Sequence, residues 1–309
     1  MLDHPLARLG WRANLEPHLD ALGDPALVAA RVTAVDRGRA VVDDGARSWS
    51  APLAGRLRRA AAMPTTGDFV AVLPGGPVRA VLPRRGVIAR RGDRGRPQVL
   101  AANVDIALVA TSLNRDLNPR RLARFLAITA RGDVEAVVLL TKSDLADDVP
   151  AIADAVRSRL DGAAVLTVSA HDGSGLAALR TLLAPRLTAV LLGTSGVGKS
   201  TLLTALVGAD RQATTPIRAS DDRGRHTTVR RELVALPGGA MLIDTPGLRA
   251  VAPLEDGDPE VPAIEAVADK RQVKRERRER EREFHRSIYR DMRERRRVRE
   301  EGDGSRRRG

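Results

Sequence analysis

The sequence predicts a multidomain protein in which a small β-barrel precedes an α/β domain with a mostly parallel sheet, and a charged helical arm follows. Three patterns predict this arrangement. Residues 26–96 hold short strand-like runs separated by turn residues, residues 97–252 alternate apolar runs with helical patterns, and residues 269–309 begin with i,i+4 pairs of opposite charge. We interpret residues 1–25 as a helical segment and residues 253–268 as a Pro- and acid-rich linker.

Composition limits the classes of function. The 309 residues contain no cysteine, which excludes disulfides and thiolate zinc sites among them and fits a reducing compartment. The sequence has no apolar run of about 18 residues that would span a membrane. Residues 1–15 lack the apolar core of a signal peptide. We therefore expect a cytoplasmic protein without a membrane partner.

Positive charge is concentrated at two places. The net charge is +13, and residues 31–96 and 269–309 are strongly basic while the part between them is mildly acidic. Such basic regions indicate a polyanionic partner, and RNA is the one most available in the cytoplasm. The alternative is a solvated basic surface in an arginine-rich protein.

The barrel is expected to resemble an OB-fold, a five-stranded barrel that binds oligonucleotides. A helical piece from Trp11 to Leu22 precedes it. Because only Trp49 and Phe69 are available for base stacking, we expect RNA contacts mainly to phosphates. A basic barrel that serves only as a scaffold is the alternative. The predicted strands are Leu27–Val35, Arg39–Val42, Ser48–Pro52, Asp68–Leu73 and Val78–Leu82.

The α/β domain is predicted from four strand–helix pairs and two further strands. Alternation of this kind produces a mostly parallel sheet with helices on both faces. The predicted strands are Val104–Ala110, Ala136–Leu140, Ala163–Val168, Ala189–Leu192, Glu232–Leu236 and Ala240–Ile243. The predicted helices are Pro119–Ala130, Val149–Leu160, Leu176–Leu183 and Ser200–Val207.

A phosphate-binding loop lies between the fourth of these strands and its helix. Its glycines let consecutive N–H groups face a polyphosphate, and the helix N-terminus adds partial positive charge. Lys199 is expected to reach the β- and γ-phosphates, and the Ser200 hydroxyl is expected to be a ligand for Mg²⁺. Thr201 is the last of the residues predicted to bind the nucleotide. A glycine-rich turn that binds nothing is the alternative. The motif G-x-x-x-x-G-K-S comprises Gly193, Thr194, Ser195, Gly196, Val197, Gly198, Lys199 and Ser200.

Two segments fit the γ-phosphate side of a GTPase. Asp244-Thr245-Pro246-Gly247 reads D-x-x-G, so Asp244 is expected near Mg²⁺ through a water and Gly247 near the γ-phosphate. The segment that ends in Thr228 lies between the phosphate loop and this motif, where a switch segment supplies a threonine to Mg²⁺.

Two other segments fit recognition of guanine. The sequence Thr141-Lys142-Ser143-Asp144 places a carboxylate that accepts from the N1 and N2 donors of guanine, which adenine lacks. Lys142 is expected over the base, and a backbone N–H of Ser169-Ala170 is expected to meet O6. Each segment follows a predicted strand, and ligands of open α/β sheets bind at that edge. An ATP-dependent RNA remodeler is disfavoured by Lys142 and Asp144.

The motifs stand in a permuted order. The two guanine segments precede the phosphate loop, whereas GTPases ordinarily carry them after D-x-x-G. The chain thereby resembles the circularly permuted GTPases that depend on the small ribosomal subunit (RsgA/YjeQ type). The resemblance covers roughly residues 27–250 and includes Val81–Arg85, Gln98–Asp105, Asn118–Leu122 and Gly224–Thr228.

The resemblance implies an OB-fold, a permuted GTPase domain and a zinc-binding domain, and a GTPase that acts in late maturation of the small subunit. The implied partners are that subunit and its rRNA, and we expect a monomer. Zinc is not predicted here because the sequence has no cysteine. Thr141 replaces the usual Asn, so reduced guanine affinity is expected.

The predicted catalytic residues are Lys199, Thr228 and His226. Leu248 follows D-x-x-G where many GTPases place a glutamine, so His226 is the candidate to position the attacking water, as the family resemblance suggests. An ordinary loop histidine is the alternative. The charged arm either docks on RNA or a partner, or is a solvated helix. The rival function is a GTP-sensing RNA-binding module that scarcely hydrolyses.

Overall fold

The computed structural model describes residues 4–36, 38–55, 57, 63–91, 97–113, 117–160, 163–208 and 231–245. The predictions for His226, Thr228, Gly247, the linker and the arm lie outside these described residues. Within them, no helix has the length and apolar character needed to cross a membrane.

The N-terminal segment is helical but broken. Two 3-10 helices, Pro5–Leu9 and Ala13–Leu15, precede the short α-helix α1 (Glu16–Asp20). The helical piece predicted around Trp11 to Leu22 is present, but it is shorter than predicted and begins with a 3-10 turn. Gly10, with φ of 79°, ends the first 3-10 helix in a left-handed conformation that favours glycine.

Five short strands form the barrel. β1 pairs antiparallel with β2 and with β4, β2 pairs with β3, and β4 pairs with β5. A parallel bridge between Leu53 and Val78 joins the end of β3 to the start of β5 and completes the ring. The strands are β1 (Val28–Asp36), β2 (Arg39–Asp43), β3 (Ser48–Pro52), β4 (Phe69–Val72) and β5 (Val78–Val81).

The barrel has its own small apolar core, made by the inward residues of all five strands. Alternating side chains face this core because successive residues of a strand point to opposite sides. The buried members include Ala30, Val32, Ala40, Val42, Ala51, Val70, Val72 and Val78.

A two-stranded hairpin, absent from the sequence prediction, connects the barrel to the α/β domain. It pairs β6 (Val87–Arg91) with β7 (Pro97–Ala102) in antiparallel fashion. Val87 and Ala102 lie at its base and Arg91 and Pro97 lie at its far end.

The α/β domain contains the predicted alternation. Its strand order is β10-β9-β8-β11-β13-β12, and all neighbours are parallel except β12 and β13. The strands are β8 (Ile106–Ser112), β9 (Glu135–Thr141), β10 (Ala164–Val168), β11 (Thr188–Leu192), β12 (Glu232–Ala235) and β13 (Met241–Asp244). The helices are α2 (Pro119–Arg131), α3 (Val149–Arg157), α4 (Leu176–Leu182) and α5 (Lys199–Val207).

Two of these helices begin where the sequence provides a cap. The Asn118 side chain accepts a hydrogen bond from Arg121 N at the start of α2, and Asp148 accepts from Ala151 N at the start of α3. Proline follows each cap, where its missing N–H costs nothing. The apolar face of α2 buries Phe125 against the core.

The barrel and the α/β sheet are joined through β1. Ala34 of β1 pairs with Glu232 of β12, so one eleven-stranded sheet runs through both parts. The larger apolar core includes residues of the N-terminal segment, the barrel and the α/β domain, among them Leu6, Phe69, Leu100, Val109 and Val190.

Candidate nucleotide-binding site

The predicted motifs converge at one edge of the parallel sheet. β9 ends at Thr141, β10 at Val168, β11 at Leu192 and β13 at Asp244, and a motif segment begins at or directly after each of these residues. Parallel strands that are hydrogen-bonded neighbours bring their carboxyl ends together. The fold therefore places four separately predicted segments at a common edge.

The phosphate loop requires its glycines. Gly193, Gly196 and Gly198 have φ values of 142°, 86° and 90°, which side-chain-bearing residues rarely adopt. A Cβ atom on Gly193 would lie 2.5 Å from the carbonyl oxygen of Ala110. The loop thus packs tightly on β8, and Gly198 leads directly into α5.

Lys199 is held across the loop. The residue is 8% exposed, and its Nζ donates to the carbonyl oxygens of Gly193 at 2.8 Å and Thr194 at 2.6 Å. Burial lowers the pKa of Lys199, and the charge of Asp244 opposes this shift. The partly desolvated ammonium group of Lys199 is therefore held at the phosphate loop, where the motif requires a cation to bind phosphate.

The candidate magnesium ligands lie on neighbouring elements. Ser200 is exposed in the first turn of α5, and Asp244 ends β13, where it pairs in register with Leu191 of β11. The buried Thr245 hydroxyl donates to the Leu191 carbonyl oxygen and ties the D-x-x-G segment to the strand before the phosphate loop. A hydroxyl and a carboxylate are hard oxygen donors that suit Mg²⁺.

The guanine segments meet through Ser169. Its buried hydroxyl donates to Asp144 Oδ1 at 2.6 Å, and its oxygen accepts from the backbone N–H groups of His171 and Asp172 at 3.2 and 3.3 Å. Asp144 itself is exposed. Ser169 therefore fixes one oxygen of a carboxylate that stands at the open edge.

Thr141 connects the guanine side to the phosphate loop. Its hydroxyl lies 2.7 Å from the Val197 carbonyl oxygen and 3.2 Å from that of Thr111. The residue is only 4% exposed, so its hydroxyl is used within the protein. Lys142 has φ of 57°, and its Cε would lie 3.8 Å from a Cβ on Gly198.

Sequence reasoning did not single out Thr245 or Gly175. Gly175 has φ of 73°, and a Cβ there would lie 2.0 Å from the Thr167 carbonyl oxygen. It closes the loop in which Ser169 N donates to the Ser174 carbonyl oxygen at 2.9 Å. A glycine shortly after a strand-end serine is the signal that was available. His226, Thr228 and Gly247 are outside the described residues.

Comparison with known sequences gives one consistent family. Residues 81–253 match the profile described as RsgA GTPase. The chain is 41% identical over 263 residues to the small ribosomal subunit biogenesis GTPase RsgA of Opitutus terrae, covering 79% of this chain and 72% of the relative. It is 43% identical over 266 residues to the protein of the same name from Streptomyces avermitilis, covering 80% and 69%.

Solved structures agree on the fold. YjeQ from Thermotoga maritima matches with a TM-score of 0.55 and 23% identity, covering 74% of this chain and 77% of that one. YloQ, described as a circularly permuted GTPase, matches with a TM-score of 0.52 and 23% identity, covering 75% of each chain. A β-rich N-terminal part followed by a permuted phosphate-loop domain is therefore the shared architecture.

Proposed function

This chain belongs to the RsgA GTPase family and is a GTP hydrolase, and we propose that it binds the small ribosomal subunit and hydrolyses GTP during late maturation of that subunit. The observation that carries the proposal is the hydrogen bond from Ser169 to Asp144 at the same sheet edge as Lys199. It combines a carboxylate suited to guanine with a cation suited to phosphate.

Guanine recognition is assigned to the segments after β9 and β10. Asp144 accepts from guanine N1 and N2, Lys142 covers the base, and the backbone at Ser169 and Ala170 meets O6. The exposure of Asp144 and the anchoring of its Oδ1 support this role. Thr141 acts through the position of the phosphate loop, because its hydroxyl is already committed to protein carbonyls.

Phosphate binding is assigned to residues 193–201. Backbone N–H groups and Lys199 receive the β- and γ-phosphates, and Gly247 follows them on the γ-phosphate side. Ser200, Thr228 and Asp244, the last through a water, would hold Mg²⁺. When bound, Mg²⁺ supplies charge neutralisation on the phosphate oxygens.

Hydrolysis requires a water in line with the γ-phosphate. Leu248 offers no hydrogen bond to such a water, so we assign its orientation to His226. Low basal turnover should follow, rising when the small subunit binds.

The barrel is assigned to rRNA. The ring of pairings through β1, β2, β3, β5 and β4 supports an OB-fold, and the basic character of residues 31–96 supports contacts with phosphates. We further propose a cytoplasmic monomer whose basic residues 269–309 add to subunit binding. Zinc is not assigned to these 309 residues, which contain no cysteine.

The decisive experiment measures GTP hydrolysis with and without 30S subunits. Stimulation of turnover by the subunits is expected, together with co-sedimentation in the presence of a non-hydrolysable GTP analogue. Co-sedimentation without stimulated hydrolysis would favour the rival, a GTP-sensing RNA-binding module. If the chain shows no binding to 30S subunits and no stimulation of its GTP hydrolysis by them, the proposed function is contradicted.

A further inference from the structure

The turn that precedes β4 packs against three parts of the protein. The Gly67 N–H donates to the Val32 carbonyl oxygen of β1 at 2.8 Å. The Ala102 N–H of β7 donates to the Thr66 carbonyl oxygen at 3.1 Å. Gly67 has φ of 93°, and a Cβ atom there would lie 2.2 Å from the Ala102 carbonyl oxygen and 3.0 Å from Ile243 Cδ1 on β13. The turn therefore lies in close contact with the barrel, the hairpin and the α/β sheet.

A buried ion pair fixes the same turn. Arg84 donates to both carboxylate oxygens of Asp68, from Nε at 2.8 Å and from Nη2 at 2.7 Å. The Thr65 N–H donates to Asp68 Oδ2 at 2.8 Å. Two parallel charge-assisted hydrogen bonds give such a pair a defined geometry. A side chain on this turn is thus held by a well-fixed backbone.

Thr66 connects this turn to the start of β12. The residue is 2% exposed, and its hydroxyl donates to the carbonyl oxygen of Arg231 at 3.3 Å, across 165 residues of sequence. The next residue, Glu232, pairs with Ala34 of β1 and also with Asp244 of β13. The barrel therefore contacts the chain where it enters β12, next to the strand that carries the candidate magnesium ligand.

The sequence just before Arg231 contains two residues that we assign to hydrolysis. Thr228 precedes Arg231 by three residues and His226 by five. Three residues of chain span at most about 11 Å, so the position of Arg231 limits where Thr228 can be placed.

We propose that Thr66 is a positioning residue for GTP hydrolysis, an inference that rests on the proposed function because it takes the roles of Thr228 and His226 from it. The Thr66 hydroxyl fixes Arg231 on the barrel, and Arg231 limits the placement of the residues that act at the γ-phosphate. Because the barrel is also the part assigned to rRNA, this hydrogen bond is a direct connection between subunit binding and hydrolysis.

The binding of GDP should not depend on Thr66. The groups assigned to guanine and to the β-phosphate lie on α5 and on the segments after β9 and β10, whereas the Thr66 hydroxyl contacts the residue before β12. GDP has no γ-phosphate, so its affinity does not report the groups that act there. A loss confined to the rate of hydrolysis thus separates positioning from a general defect of the nucleotide site.

The test compares Thr66→Val with the matched control Thr65→Val in GTP hydrolysis at saturating 30S subunits. The two threonines are adjacent and buried, but the Thr65 hydroxyl lies 3.4 Å from the Leu100 carbonyl oxygen on β7. Loss of a hydrogen bond of ordinary strength changes an equilibrium about fivefold, so kcat of Thr66→Val should fall about fivefold. Its KM for GTP, its affinity for GDP and its binding to 30S subunits should match wild type. Thr65→Val should keep the wild-type kcat, and Thr66→Ser, which retains the hydroxyl, should keep it as well.

A second measurement is hydrogen exchange in the nucleotide-free protein, where the amides of residues 232–235 should exchange faster in Thr66→Val than in Thr65→Val. An unchanged kcat in Thr66→Val, an equal loss in both valine variants, a loss also seen in Thr66→Ser, or unaltered exchange in β12 would each overturn the inference. If Thr66→Val does not fold, Thr66→Ala takes its place in every comparison. If 30S subunits neither bind nor stimulate the wild-type chain, the proposed function fails and this inference fails with it; a stimulated wild type with an unchanged Thr66→Val refutes the inference alone.

Discussion

The Ser169 hydroxyl donates to Asp144 Oδ1 at 2.6 Å, across 25 residues of sequence and between the ends of two neighbouring strands. Ser169 accepts two backbone N–H groups at the same time, so its oxygen and its proton are both used. The hydrogen bond links the short motif after β9 to the short motif after β10. The carboxylate to which we assign base selection is therefore held by a hydrogen bond in the nucleotide-free protein.

Removal of the Ser169 hydroxyl should weaken the binding of guanine nucleotides without altering the phosphate loop. Ser169→Ala frees Asp144 and leaves two backbone N–H groups without their acceptor, a loss of about 1–2 kcal/mol or roughly 5- to 30-fold in affinity. Titration with a fluorescent GDP analogue measures it. Ser158→Ala, which removes an exposed hydroxyl bonded to the Ala155 carbonyl oxygen, is the matched control. Equal affinities in both variants would contradict the assigned role.

Loss of the Asp144 carboxylate should remove the preference for guanine. In Asp144→Ala the N1 and N2 donors of GTP have no acceptor, and a site built on those hydrogen bonds loses discrimination of at least about 100-fold. Competition of GTP and ATP against one labelled nucleotide measures the ratio, which should approach unity. The exposed Asp147, three residues further along the chain, provides the control Asp147→Ala. A variant that still prefers GTP strongly would show that other groups select the base.

Thr141 should matter for stability as well as for nucleotide binding. Thr141→Val keeps the shape but leaves the buried carbonyl oxygen of Val197 without its donor, which should lower the free energy of unfolding by about 1–3 kcal/mol. Urea denaturation measures the change, and GTP affinity should fall with it because the phosphate loop loses an anchor. Thr181→Val, at an exposed helix position, is the control. Normal stability with weak GTP binding would instead indicate direct contact with the base.

The sequence was sufficient to predict the strands and the site segments wherever the pattern that identifies them is local. The apolar runs that end at Thr141, Val168 and Leu192 are short, bounded by glycine or polar residues, and followed by motif residues whose chemistry has few alternatives. Their convergence follows from the general rule for parallel sheets. This is why the phosphate loop and the guanine segments appear together at the predicted edge.

The hairpin and the joint between the two parts depend on long-range pairing. β6 and β7 lack a clear alternation of apolar and polar residues, and the Arg- and Gly-rich stretch between them suggests a loop. The pairing of Ala34 with Glu232 joins strands almost two hundred residues apart. The sequence of neither strand indicates which strand it pairs with. Arg31, a charge inside a strand, likewise gives no hint that it is buried.

The lysine of the phosphate loop should show a pH signature in the nucleotide-free protein. The folded-state pKa of Lys199 is lowered from 10.5 by burial, so the unfolded chain binds more protons at alkaline pH and stability due to this group rises with pH up to 10.5. The difference in unfolding free energy between wild type and Lys199→Met should therefore shift in favour of wild type between pH 7 and pH 10. Urea denaturation at both values measures it. Lys142→Met is the control, and a pH-independent difference for Lys199→Met would contradict the assignment.

Arg31 should be needed as an arginine at the joint between barrel and α/β domain. Its guanidinium is 1% exposed, lies 4.3 Å from the centroid of the Phe69 ring, and donates to the Leu9 carbonyl oxygen and to Thr188 Oγ1 at 3.1 Å. Burial lowers the pKa of Arg31 to about 10, which still leaves it charged at pH 7.

Arg31→Lys retains the charge but replaces the planar group that reaches acceptors on two different elements while stacking on a ring, so it should lower the free energy of unfolding by about 1–3 kcal/mol. Arg39→Lys, on β2 of the same barrel and exposed, should stay within about 0.5 kcal/mol. Thermal and urea unfolding of the two variants measure the contrast. If lysine served equally well at both positions, the net charge alone would matter at this joint, and the bonds to Leu9 and Thr188 would carry little of its stability.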